Sequence, residues 1–345
     1  MVTIDDVARH AGVSSSTVSY VLSGKRTISV ETSDRVTRSV AELGYRPNAS
    51  ARALASRRSN ALALVAPFRA DNNVPVLMQF VSEVATAARE RNRDVLLVTQ
   101  EEGDEGVRRV SHSALVDAVI VMDLEIEDAR LPMLRELNLP CVLIGQPDHP
   151  GRLSFVDLDL REAAEVGLNH LAELGHSTIA MLGSPPAVYQ RRSSYAVRFA
   201  EGFEHAGTKR GATAVWYPVE QSYESVNAVI TRHFEKYPDT TALMVHNEAI
   251  LGTVLAILER GGRRVPNDVS IVAVCPTDMA ENQRVPLTHI PVPAALIGAA
   301  AVEMVIRQLD GDSSVEKRLI YPELTVRAST SARAPSAATA SASRA

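Results

Sequence analysis

"TIDDVARHAGVSSSTVSYVLSGKR", residues 3–26, decides how the chain begins. Ile4, Val7, Ala8 and Ala11 recur at helical spacing, which predicts a short amphipathic helix. Thr3 can cap its start, with Asp5 and Asp6 in the first turn, where the helix dipole favours carboxylates. Gly12 follows the last periodic residue and can take the left-handed conformation of a tight turn. Ser14 then caps a second helix whose predicted apolar face is Val18, Val21 and Leu22, opposite Ser15, Ser16, Ser19 and Tyr20. A third helix starts at Ser29, buries Val36, Val40 and Leu43, and stops at Gly44. Two short helices joined by a glycine turn and buttressed by a third make a helix-turn-helix unit. In such a unit the first turns of the second helix enter the major groove of DNA, where short hydroxyls reach base edges and Tyr20 reaches further. The helical pattern alone also admits a plain three-helix bundle with a solvated serine face.

The rest of the chain is much larger. At 345 residues there is room for two or three domains of about 150 residues each. Hydrophobic residues at 46% and charged residues at 22% suit a soluble globular protein. Cys141 and Cys275 are the only cysteines, so there is neither a disulfide framework nor metal-ligand spacing, as expected of a cytoplasmic protein. No apolar run approaches the length of a membrane span, and no signal peptide is evident. The net charge of −5 is unevenly spread: residues 1–58 hold nine basic against five acidic residues, a balance of +4 that leaves −9 for the remainder. A basic head on an acidic body fits a phosphate-binding module joined to a sensor.

The head together with "ISVETSDRVTRSVAELGYRPNASARALASRRS", residues 28–59, closely resembles the N-terminal module of the lactose/galactose repressor family of bacterial regulators. The resemblance implies base reading from Ser15, Ser16 and Tyr20, with further DNA contacts from Thr3, Ser14, Thr17, Ser19, Lys25 and Arg26. Relatives commonly carry arginine where Tyr20 stands, and tyrosine cannot grip guanine bidentately, so the operator should differ. Pro47 biases Arg46 towards extended structure, and Asn48 can cap an alanine-rich helix of about two turns. So short a helix is marginal alone and should form only against a partner. The family precedent is a hinge helix that pairs with its dimer mate in the minor groove, which implies contacts from Asn48, Ala51, Leu54 and Ala55, with Leu54 as the wedge between bases. The expected partners are therefore a palindromic operator duplex and a second copy of the chain.

From residue 61 strand-like runs alternate with amphipathic helices: "ALALVAP", "DVLLVTQ", "DAVIVMD" and "CVLIG", then, after "FVDLD", "TIAMLG", "AVWYP", "ALMVHN" and "VSIVAV". Alternating units of this kind predict parallel sheets covered on both faces, and two successive sets predict two doubly wound lobes. The fold class is thus a small all-α helix-turn-helix domain followed by an α/β core of two parallel-sheet lobes, similar to periplasmic binding proteins. The expected divisions are residues 1–46 for the head, 47–59 for the hinge, 60–327 for the core and 328–345 for a disordered tail rich in Ala and Ser. The resemblance implies crossings between lobes near Asp159, Pro291 and Tyr321. Lobe 1 would then hold about 60–159 and 292–318, and lobe 2 about 160–291 and 319–327.

Ligands of such sheets lie at the carboxyl ends of the strands, here between the lobes. Following the family, Asp71 and Asn73 occupy the place of polar ligand contacts, Asn247 matches a cleft asparagine and Glu248 takes the acidic position beside it. The family's clamping carboxylate is replaced by Cys275, with Asp278 as a candidate substitute. Arg198 lies four residues before the Gly202-Phe203 pair, where the family's anchor arginine lies three before. Tyr189 and Trp216 can stack on a sugar ring, although a lone Trp in "AVWYP" is at least as often plain core. Catalytic motifs are missing: there is no dinucleotide fingerprint after a strand, no Walker loop, no nucleophile elbow and no zinc-protease pair. The resulting expectation is a DNA-binding repressor of carbohydrate-utilisation genes, with no catalytic residues, no metal and no cofactor, released by a mono- or oligosaccharide. A purine-dependent repressor is the variant within this class. A sugar-binding protein or enzyme with an accessory helical head is the alternative outside it.

Overall fold

The structure, a computed structural model, describes residues 2–23, 26–45, 59–99, 103–113 and 115–333. Lys25, Asn48, Ala51, Leu54 and Ala55, most of the expected hinge, and residues 334–345 of the expected tail lie outside the described residues. The chain divides into two compact units, Met1–Asn60 and Ala61–Ala345.

Among the described residues the first unit holds three helices, Ile4–Ala11, Ser15–Ser23 and Val30–Leu43. Thr3 and Asp6 form a reciprocal capping box, with the Thr3 backbone N–H donating to Asp6 Oδ2 at 2.9 Å. Gly12 closes the first helix at φ 66° and ψ 38°, a conformation that any side chain would strain. Val7, Ala8, Ala11, Val18 and Val36 form the core, with Val21, Val40 and Leu43 packed against it. Leu22, expected on the buried face, is 40% exposed. Val18 and Val21 supply this nine-residue helix's contacts with the core.

Among its described residues the second unit contains two parallel sheets. Strands β1 (Ala61–Val65), β2 (Asp94–Val98), β3 (Ala118–Val121), β4 (Cys141–Ile144) and β5 (Ser154–Leu158) build the first lobe. Strands β6 (Thr178–Gly183), β7 (Thr213–Pro218), β8 (Ala242–Val245), β9 (Ser270–Cys275) and β10 (Thr288–Pro291) build the second, and β11 (Lys317–Ile320) returns to the first. The sheet orders are β11-β5-β4-β3-β1-β2 and β10-β9-β8-β6-β7. Central strands such as β3 and β8 are buried along their whole length, as expected where helices cover both faces of a sheet. Helix Leu160–Glu173 packs on helix Ser194–Arg210 at Gly202, where a Cβ would come within 2.4 Å of the Arg161 carbonyl oxygen.

Two boundaries differ from the sequence reading. Leu319 and Ile320, assigned to lobe 2, pair with Asp157 and Leu158 in the sheet of lobe 1. The chain changes lobes after them, and Thr325 bridges to His289. The expected disorder from Ala328 does not hold for its first six residues, Ala328–Arg333. Ser329 is fully buried: its hydroxyl donates to the Ile271 carbonyl at 2.6 Å and accepts from the Thr288 N–H at 2.7 Å. Arg333 N–H reaches the Leu174 carbonyl at 2.8 Å. These contacts run through backbone and hydroxyl groups, so hydrophobic periodicity carries no trace of them.

Candidate functional site

In the head the hydroxyl face is ordered by its own hydrogen bonds. Ser14 Oγ accepts from the Thr17 N–H at 3.2 Å and lies 2.8 Å from both Ser16 Oγ and Thr17 Oγ1. The Ser15 hydroxyl donates to Asp5 on the preceding helix, linking the two. Ser16 and Tyr20 are exposed and Ser15, Thr17 and Ser19 half-buried, while Val18 between them is fully buried. The guanidinium of Arg26 stands 5.8 Å from the Tyr20 ring centre. The second helix thus turns short polar groups outward, with one longer aromatic a turn further on, as a helix laid in a DNA groove requires.

In the core, a cavity of about 200 Å³ lies between the lobes, at the carboxyl ends of the strands. The turns after β1 and β3 bring Asp71, Asn73 and Asp123 to it from lobe 1, and the end of β5 brings Asp157. The turn after β8 brings His246, Asn247 and Glu248 from lobe 2. Apolar side chains such as Leu77, Phe80, Leu160 and Ile297 complete the wall. An apolar wall with a few convergent polar groups is the usual form of a small-molecule site.

The lobes are stitched together beside this cavity. Leu124 and Ile126 exchange backbone hydrogen bonds with Ser194 and Arg192, at 2.8 and 2.9 Å. Arg191 from lobe 2 pairs with Asp71 of lobe 1 and lies 3.9 Å from Asp123. Asp123 also pairs with Arg69 and holds a left-handed φ of 53°, a strained conformation of the kind that clusters at functional sites.

Burial sets the protonation chemistry. Asp157 is 8% exposed, and desolvation lifts its carboxyl from 3.8 to about 7 against a hydrogen bond from the Leu158 N–H at 2.9 Å. Desolvation likewise lifts the Glu248 carboxyl to about 7 and drops the His246 imidazole to about 3. His246 is therefore neutral, with its ring stacked on Phe199 at 3.9 Å. Asp71 Oδ1, Asp157 Oδ2 and His246 Nδ1 are buried without a hydrogen-bond partner, as is Nε of the bridging Arg191. Orphaned polar atoms gathered around one cavity mark a place where a ligand completes the bonding.

Asp71, Asn73 and Asn247, expected as contacts, line the cavity, although the Asn247 amide already donates to the Val219 carbonyl at 2.9 Å. The other four do not line it. Arg198, 3% exposed, spans the lobes instead, donating to the Gln146 carbonyl at 2.8 Å and to Asp148 at 2.7 Å. The Trp216 indole donates to Glu204 at 2.6 Å, and its ring packs against Tyr189 at 4.7 Å, both beside the main hydrophobic core. Asp278 is exposed on helix Thr277–Glu281 and does not replace the carboxylate missing at Cys275, whose thiol burial pushes to about 12. Asp123, Asp157 and His246 escaped the sequence reading. Their signal is a polar residue at the carboxyl end of an apolar parallel strand, as in "FVDLD". Among the described residues no cluster of His, Cys, Asp and Glu is arranged to hold a metal, and no helix is long and apolar enough to cross a membrane.

The family model for bacterial regulatory proteins of the lacI family matches residues 3–48, and that for the periplasmic binding protein-like domain matches residues 168–330. The HTH-type transcriptional regulator CelR of Thermobifida fusca is 31% identical over 330 residues, covering 92% of this chain and 95% of that protein. AglR of Rhizobium meliloti (strain 1021), also an HTH-type transcriptional regulator, is 30% identical over 345 residues, covering 95% and 94%. Among solved structures, the Lac repressor dimer bound to operator and the anti-inducer ONPF aligns with a TM-score of 0.83 at 25% identity, over 96% of this chain and 99% of that one. A CelR–cellobiose complex aligns with a TM-score of 0.67 at 27% identity, over 95% and 100%.

Proposed function

The chain belongs to the lacI family of bacterial regulatory proteins, and we propose that it represses carbohydrate-utilisation genes until a small sugar enters the cavity between its lobes. Members of this family are DNA-binding regulators rather than enzymes. The protein acts in the cytoplasm as a homodimer on a palindromic operator, reading bases through Ser15, Ser16 and Tyr20 in each half-site. Residues 47–59 form the hinge, whose short helix folds only on DNA and places Leu54 between the central bases. Sugar binding changes the angle between the lobes, separates the paired hinge segments and releases the operator. The cellobiose complex of a similar regulator favours a sugar over a purine.

The observation that carries this reading is one chain holding both a hydroxyl-faced second helix on a capped helix-turn-helix and a cavity whose buried polar atoms lack partners. The test is selection of binding sites from random duplex DNA by the purified protein, repeated with cellobiose, maltose and a purine base in turn. We expect a palindrome to be enriched and its binding to fall with a sugar. Enrichment of no palindrome would overturn the DNA-binding assignment, and release by a purine alone would overturn the sugar assignment.

A further inference from the structure

Two of the carboxylates that reach the cavity have no cation. Asp71 and Asp123 are neutralised by Arg191 and Arg69, and Arg198 is committed to Asp148. Asp157, at the end of β5 in lobe 1, and Glu248, just after β8 in lobe 2, form no ion pair among the described residues. Asp157 Oδ2 and, across the cavity lining, His246 Nδ1 are buried and unpartnered, in residues only 8% and 5% exposed. The other titratable groups lining the cavity are Asp71, Asp123 and Tyr195. Glu248 has a hydrogen bond with the Asn73 side chain but no cation, whereas Asp157 Oδ2 has no partner at all. A desolvated carboxylate oxygen left in that state is costly, and in a native cavity it is explained most simply by a ligand that bonds to it.

The geometry points to Asp157 and Glu248, assisted by His246, as a two-lobed grip for the hydroxyls of an uncharged sugar that shuts out anionic ones. Hydroxyls donate to the two carboxylates, and the neutral imidazole meets a further hydroxyl at Nδ1. A phosphate or uronate would face four carboxylates, and among the described residues lining the cavity there is no arginine or lysine to meet it. Because the two carboxylates belong to different lobes, a sugar satisfies both only by fixing the angle between the lobes. Specificity and switching therefore depend on the same residues. This inference rests on the reading of the cavity as a sugar site.

The experiment uses the full-length protein at pH 8. Cellobiose, maltose and sucrose are screened by thermal shift against glucose 6-phosphate and glucuronate. The neutral sugar that stabilises most is then titrated calorimetrically into wild type, Asp157→Asn, Glu248→Gln and Asp278→Asn. We expect a neutral sugar to bind and the anions not to. Asp157→Asn and Glu248→Gln should each weaken binding about 10–100-fold, as the loss of a hydrogen bond to a charged group does. Asp278→Asn, exposed and outside the cavity, should bind within about twofold of wild type. Both cavity variants should melt no lower than wild type when unliganded, which separates lost recognition from misfolding. Wild-type affinity in both cavity variants, or equal binding of glucose 6-phosphate, would overturn the grip while leaving the sugar site standing. Absence of any shift with all three neutral sugars would overturn the sugar site, and the grip with it.

Discussion

Replacing Asp157 with asparagine should make the core more stable, by an amount that depends on pH. Burial lifts the Asp157 carboxyl from 3.8 to about 7, so the folded protein holds that proton more tightly than the unfolded chain does. The carboxyl therefore costs nothing below about pH 4. Its cost grows by about 1.4 kcal/mol per pH unit through the window up to about 7 and is constant above it. Over about three pH units this reaches at most about 4 kcal/mol at pH 8. Asparagine keeps an oxygen for the Leu158 N–H and has no charge to desolvate. Leaving its amide unpaired costs about 1–3 kcal/mol, but equally at every pH. Glu248 acts in the same direction as Asp157, whereas His246 and His233, lowered to about 3 and about 4, act oppositely by adding stability as pH rises towards 6.5. Those groups are common to both proteins and cancel in the difference. Calorimetric melting of wild type and Asp157→Asn at half-unit steps from pH 4.5 to 8 measures that difference, at about 2–4 °C per kcal/mol for a unit of this size. Relative to wild type, the variant's melting temperature should rise steadily with pH up to about 7 and then hold a constant lead. Parallel curves would refute the desolvated carboxylate.

Other perturbations test other parts of the account. Gly202→Ala forces a methyl to within 2.4 Å of the Arg161 carbonyl, so the two long helices of lobe 2 must separate; stability should fall by at least the 1–3 kcal/mol typical of overpacking, read by denaturant unfolding. Asn247→Ala strips an amide from the cavity and leaves the Val219 carbonyl unpaired, so calorimetry should show weaker sugar binding and about 1–3 kcal/mol lower core stability, with operator affinity retained. Tyr20→Arg should change the preferred base in each half-site by about 1–3 kcal/mol and leave non-specific binding nearly unchanged, as binding-site selection on both proteins would show.

The order of strands and helices was legible because parallel strands and amphipathic helices differ in length and period, and the chain keeps that contrast from β1 to β9. The head was legible to the residue at its caps: Thr3, Gly12, Ser14, Ser29 and Gly44 each sit where their chemistry places them. The cavity was legible only in part. Arg198 was chosen for its spacing from Gly202-Phe203, yet Gly202 is a contact point between helices and Arg198 a strut between lobes. Asp157 was hidden because a carboxylate near the end of an apolar strand reads only as part of that strand. Its importance comes from what surrounds it in space. For Trp216 the sequence left a sugar platform and plain core both open, and its ring packs against the core. Ser329 was hidden in a tail whose composition suggested disorder, and its two buried hydrogen bonds depend on β9 and β10, far away in sequence.

We propose that a ligand between the lobes controls the grip on DNA. It is tested most directly by the operator affinity of the full-length protein, measured with and without the neutral sugar that stabilises it most. The account predicts a loss of about 5–150-fold at saturating sugar, with the sugar binding the operator complex more weakly than free protein by the same factor. Unchanged or tighter operator binding at saturating sugar would contradict it.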